Sequence, residues 1–293
     1  MEAKSGQEFW MNEIRNEIAV LFSGGIDSLL AVVELQASFN RVHLVTFNKG
    51  YLEFGVKNNQ ANVERLKRMY GEERIAHEVI DLRQLMRMIY KGLWKDIRIY
   101  NMETCWCVGC RLAMNSGGLL YALEHGLKGY ADGSNREQIP SRANLAGTAE
   151  NFPSVVERLK VFAREHGAEF LTPVYNSGSR EERRARLRDF GFEIDYLSLD
   201  RSKKIRGMLT KDIFRRSQPI CLSGWLIHWK RNLLGKPVKQ DEKKTLSYII
   251  QKLENVVRLY LRDYFAAKGV DVDELIKRRK SALNGRLPSD GQP

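Results

Sequence analysis

Along the first two hundred residues, short apolar runs alternate with stretches whose apolar positions recur every three or four residues. Residues 18–22 (IAVLF), 42–47 (VHLVTF), 75–80 (IAHEVI), 129–131 (GYA) and 169–171 (EFL) read as buried strands. Between them, residues 28–37, 59–70, 110–124 and 154–166 carry helical periodicity. This alternation predicts an α/β fold, a doubly wound parallel sheet with helices on both faces, since parallel strands are joined by right-handed crossovers. A ligand is then expected beyond the carboxyl ends of the strands, where the winding reverses.

After about residue 200 the strand signals stop. Residues 243–268 predict a long amphipathic helix with Leu246, Ile249, Ile250, Leu253, Val256, Val257, Leu259 and Tyr260 on a broad apolar face and Gly269 as its stop. The last dozen residues are polar, with Gly and Pro, and are expected to fray. The chain therefore divides into an α/β domain over 1–199 and a mainly helical region over 200–293. No internal repeat is visible.

Charge sharpens that division. The 293 residues hold 48 Lys and Arg against 36 Asp and Glu, a net charge of +12. Residues 1–199 carry 26 basic and 26 acidic groups, whereas 200–293 carry 22 and 10. A basic tail region suits a polyanion, with tRNA the leading partner, although a solvated basic helix face gives the same count. No apolar run reaches the roughly 20 residues of a membrane span. The N-terminal residues lack a basic stretch leading into an apolar one, so a cytoplasmic protein without a membrane partner is expected. Oligomeric state is not legible.

The first strand runs straight into Ser23-Gly24-Gly25-Ile26-Asp27-Ser28, and a helix begins at once. Two glycines let the backbone turn tightly and present its N–H groups, and the helix N-terminus adds unpaired amides and a positive dipole end. Ser23 and Ser28 add hydroxyls, and Asp27 can hold a magnesium ion or cap the helix. Neither G-x-x-x-x-G-K-[ST] nor G-x-G-x-x-G occurs. At the end of the fourth strand stands Asp132-Gly133-Ser134-Asn135, either a site loop at the switch point or a simple Asp-Gly turn.

The S-G-G-x-D-S turn resembles the signature of the PP-loop ATP pyrophosphatase family, whose fold is of the adenine nucleotide α-hydrolase type. The resemblance spans roughly residues 16–200. It is nearest in type to tRNA-thiolating and other sulfur-inserting members and to 7-cyano-7-deazaguanine synthase. It implies that Ser23, Gly24, Gly25, Asp27 and Ser28 hold the phosphates of ATP and Mg2+, with Phe47, Gly133 and Asn135 also at the nucleotide. It implies further that a substrate oxygen attacks the α-phosphorus, pyrophosphate leaves, and a sulfur or nitrogen nucleophile displaces AMP. Asp132 is expected to serve in catalysis with Asp27. Relatives carry paired acids after the second motif, where this chain has Arg136, Glu137 and Gln138. Within Ser177–Arg183, Arg180 is taken as the group that stabilises the leaving pyrophosphate, with Arg183 as the other candidate. The same run suits a solvated helix with acid–base pairs.

Cys105, Cys107 and Cys110 form C-x-C-x-x-C, and Cys221 is the fourth cysteine. Such clustering argues for metal or chemistry rather than disulfides. Four sulfurs suit tetrahedral Zn2+, or a [4Fe-4S] cluster held by three or four of them, and spacing does not choose between them. Alternatively the thiols receive sulfur from a donor protein. The histidines, and Trp225 and Trp229 beside His228, read as packing residues. Adenylation of a small carboxylic acid, or a nucleotide-binding module without turnover, are the other functions compatible with these motifs.

Overall fold

The computed structural model describes residues 14–51, 53–139, 148–192, 220–223 and 240–284. Strands β1 (Arg15–Leu21), β2 (Arg41–Asn48), β4 (Ile75–Asp81), β5 (Leu127–Ala131) and β6 (Glu169–Leu171) form one parallel sheet in the order β4-β2-β1-β5-β6. All five predicted strands lie in it. The order runs outward from β1 in both directions, so the switch point falls between β1 and β5.

Helices cover both faces because the strands are apolar on both. Ile18, Val20, Val42 and Leu44 point to one face and pack with α1 (Ile26–Leu35), α2 (Gln60–Tyr70) and α7 (Arg180–Asp189). Ala19, Val45 and Phe47 point to the other, against α3 (Arg83–Ile89), α5 (Gly109–Glu124) and α6 (Pro153–Glu165). The period of two along a strand divides the side chains in this way. Helix α4 (Leu93–Tyr100) extends the second layer.

The long C-terminal helix runs from α8 (Glu242–Lys252) through a π turn at Leu253–Val257 into α9 (Arg258–Ala266), and Gly269 follows in the left-handed region with φ 71°. Its Tyr248, Ile249, Leu253, Val257, Leu261 and Phe265 are buried in the same core layer as α5 and α6. Lys252 of α8 pairs at 2.7 Å with Asp96 of α4, both buried. Helix α10 (Val272–Asn284) sends Arg279 inward, where it donates to the carbonyls of Gly167 and Leu127. This helical segment therefore completes the α/β core. The boundary at 199/200 and the last residues, 285–293, lie outside the described residues.

The structure corrects the expectation that strands end before residue 200. Ile220–Cys221 is a strand, β7, antiparallel to β3 (Glu53–Phe54), with Cys221 opposite Glu53. Two residues are too short for periodicity to reveal, and pairing with a remote partner makes the strand. Among the described residues no helix is long and apolar enough to cross a membrane.

Candidate active site

The turn after β1 meets the loop after β5 at the switch point. Gly24 has φ 76°, a conformation glycine adopts without strain. Gly25 is extended and begins α1 without a side-chain cap, which leaves first-turn amides for a ligand. Ser23 and Ser28 face each other with their Oγ atoms 3.1 Å apart, and Ser28 Oγ donates to the Gly25 carbonyl at 3.1 Å. From α2, Asn62 Nδ2 donates to the Gly24 carbonyl at 2.9 Å. Asn59 Nδ2 donates to the Phe22 carbonyl at 3.3 Å and to Thr46 Oγ1 at 2.6 Å. These two asparagines fix the turn from outside and were not singled out in the sequence.

Asp132, Gly133, Ser134 and Asn135 close the other side. A Cβ on Gly133 would lie 2.7 Å from the Ser28 nitrogen, so only glycine permits this approach. Ser134 N–H donates to Asp132 Oδ1 at 2.8 Å, an Asx turn that holds the loop. Asn135 Nδ2 donates to Asp27 Oδ2 at 3.0 Å, and Gln138 Nε2 to the same oxygen at 3.1 Å.

Each site aspartate is held by an arginine. Arg183 Nε lies 2.7 Å from Asp27 Oδ1, and Arg183 also pairs with Glu137 at 2.8 Å. Arg183 is fully buried, while Arg180 is exposed at the start of α7 behind a Ser179–Glu182 capping box. The inward arginine of this helix is thus Arg183. Burial raises the Asp27 pKa above the usual carboxylate value, against the opposing pull of Arg183 and Arg180. Asp132 is paired with Arg111, which also contacts Ser134 Oγ. Arg111 directly follows Cys110 in the sequence, and only that proximity to the cysteine motif marks it there.

A cavity of about 200 Å3 opens between these loops, lined by Ser23, Asp27, Ser28, Phe47, Asp132 and Gly133 from the predicted set, and by Lys49, Glu53 and Arg111 besides. Lys49 pairs with Glu53 at 2.6 Å. Burial opposes a charge on Lys49, yet the neighbouring Cys110, Glu53 and Cys221 raise its pKa above the ordinary value.

The four cysteines divide by burial, with Cys105 in the core. Residues 104–108 are a π turn that runs directly into α5, so the motif is helical. Two residues apart on a helix is roughly 200° of rotation, whereas three apart returns to the same face. Cys105 is accordingly fully buried toward the C-terminal helix, where Tyr248 donates to its carbonyl, and burial pushes its thiol up to about 12. Cys107 and Cys110 interact electrostatically with each other and with Cys221, which β7 carries to this side. Burial pushes Cys107 well above the ordinary thiol value and Cys110 up to about 11, the latter opposed by Lys49. Among the described residues no three His, Cys, Asp or Glu are arranged to hold a metal ion. Of the four cysteines expected to hold Zn2+ or a [4Fe-4S] cluster, Cys105 lies in the core, and Cys107, Cys110 and Cys221 are the three that interact with one another.

His43 contacts Glu17 Oε2 at 2.7 Å and Tyr121 Oη at 3.1 Å, His77 contacts Thr46, and His166 bonds the Phe162 carbonyl. Trp225, His228 and Trp229 lie outside the described residues.

Residues 17–105, from β1 to the start of the cysteine segment, match the family model described as Queuosine biosynthesis protein QueC. Among solved structures, one described as a predicted subunit of tRNA methyltransferase from Methanocaldococcus jannaschii is similar, with 21% identity over 59% of this chain and 75% of that chain and a TM-score of 0.37. No curated protein matches the chain significantly.

Proposed function

We propose that the protein is an ATP-dependent adenylating enzyme of the PP-loop type. The observation that carries this reading is the contact of Gly133 with the Ser28 backbone, which closes an amide-lined turn at the switch point of the sheet. The amides after Gly24 and the hydroxyls of Ser23 and Ser28 bind the β- and γ-phosphates. Asp27, the more open of the two aspartates, is the residue that would hold Mg2+. Bound Mg2+ would neutralise charge on the leaving group. Lys49 and Arg111 line the cavity and supply fixed positive charge for the phosphates. A substrate oxygen attacks the α-phosphorus, the bond to the β-phosphate bridging oxygen breaks, and pyrophosphate leaves. A second nucleophile then displaces AMP from the adenylated carbon.

For that nucleophile the first reading is sulfur, supported by the Cys110 and Cys221 thiols, which interact with cavity-lining Lys49, and by Cys107, which interacts with both. The acceptor is a nucleoside within tRNA. The similarity to a queuosine biosynthesis family and the basic composition of residues 200–239, with 11 Lys and Arg against 2 Asp, support it. The second reading, favoured by the same family match, is a small carboxylic acid precursor with nitrogen as nucleophile.

Calorimetry with a nonhydrolysable ATP analogue and Mg2+ tests the nucleotide site, and release of AMP and pyrophosphate in equal amounts with tRNA tests turnover. Wild-type binding that disappears in Asp27→Ala is expected. Equal binding in both proteins would overturn the assignment.

A further inference from the structure

A second cavity, about 520 Å3 and open to solvent, lies beside the first and differs from it in character. Tyr51, Tyr90, Trp94 and Trp106 form its aromatic walls, and Arg87 and Lys95 are the cations at its rim. Tyr90 and Trp106 stack with centroids 4.6 Å apart and planes 9° from parallel, and Tyr90 Oη donates to the Trp106 carbonyl at 2.8 Å. Tyr51 stands edge-on to both rings, at 5.4 Å and 5.6 Å. Tyr90 is buried and Trp106 half-buried in this corner, while Tyr51 at its edge is 37% exposed and Trp94 across the cavity 73%.

Three features distinguish it from a patch of surface hydrophobes. Trp94 is the most exposed large apolar side chain among the described residues, and it shares one cavity with three further aromatic residues. Tyr51 has φ 52°, a strained conformation for a bulky residue, and strain of this kind collects at functional sites. Arg87 and Lys95 are exposed and make no ion pair among the described residues, in contrast to Arg83, Arg158 and Arg258, which do. The cavity is tied to the nucleotide site through the chain. Lys49 lines one and Tyr51 the other, and Trp106 lies five residues before Arg111.

We propose that this cavity receives an unstacked base, with its phosphate, from a single-stranded segment of RNA. Exposed aromatic faces accept any base, and cations at the rim neutralise the backbone, which is how single strands are held without a duplex. The cavity's aromatic walls favour a planar ring, and Arg87 and Lys95 favour an anionic tether. This inference rests on the adenylation reading only for its role, as the place where the acceptor strand is anchored.

The test is fluorescence anisotropy with a labelled single-stranded RNA of about ten nucleotides and the full chain at low salt. Wild-type binding that weakens with salt is expected, and Trp94→Ala should weaken it about tenfold. The Arg87→Ala/Lys95→Ala variant should weaken it and flatten the salt dependence. All these side chains are exposed, so the variants should keep the wild-type melting temperature and their affinity for the ATP analogue. Absent wild-type RNA binding, unchanged affinity in both variants, or a mononucleotide binding as tightly as the strand would overturn the proposal. Failure of the wild-type protein to bind the ATP analogue, with RNA binding still sensitive to Trp94, would instead overturn the adenylation reading and leave the RNA site standing.

Discussion

The backbone of Gly133 rests against the Ser28 amide so closely that a methyl group at 133 would meet the nitrogen at 2.7 Å and the Asp27 carbonyl carbon at 2.8 Å. Neither neighbour is a flexible side-chain end, so relief requires moving the start of α1. Gly133→Ala should therefore lower stability by about 1–3 kcal/mol, as overpacking does, and remove nucleotide binding. Thermal melting and analogue calorimetry read the two effects, and a variant that binds normally would show that the contact is loose.

Arg183 is itself buried and pairs with half-buried Asp27 and with exposed Glu137. Removing one partner of such a pair leaves the other uncompensated, so Arg183→Ala should cost about 3 kcal/mol at neutral pH. The loss should depend on pH. Burial already raises the Asp27 pKa, and without Arg183 it rises further. A carboxyl group with a raised folded pKa contributes stability below its unfolded value, here near 3.8, and loses it as pH rises through the folded value. The variant should thus approach wild type in denaturant melts near pH 4; a deficit constant from pH 4 to 8 would contradict this.

The thiols should divide by position. Cys221 is exposed, whereas Cys105 is fully buried with its pKa pushed up to about 12. Reaction with a chromogenic disulfide at pH 8 should be fast at Cys221 and absent at Cys105 until the protein unfolds. Cys105→Ser should lower the melting temperature without slowing modification of the others. Rapid native labelling of Cys105, located by mass spectrometry, would overturn the placement.

Burial lowers the pKa of His43, His77 and His166 below the ordinary 6.5. A base whose folded pKa is depressed gives stability that is complete above the unfolded value and lost as pH falls toward the folded one. The melting temperature should therefore decline as pH falls below about 6.5. A flat profile from pH 8 to 5 would mean that these rings titrate as in the unfolded chain.

Sequence alone determined the five strands of the parallel sheet and the turn after β1, because burial on both faces writes continuous apolar runs and because the tight turn at the helix start needs Gly24. It also placed Asp132–Asn135 at a strand end. Tertiary structure alone decided which side chains complete the site. Arg111 reaches Asp132 from the preceding helix and Arg183 reaches Asp27 from far along the chain, and Arg180, only three residues from Arg183, points outward. The cysteine spacing suggested one metal site, but helical rotation through residues 104–108 turns Cys105 to the core, while β7 brings Cys221 from over a hundred residues away. Periodicity is a property of neighbours in sequence, whereas a site depends on distances between elements, which are fixed only when both faces of the sheet are packed.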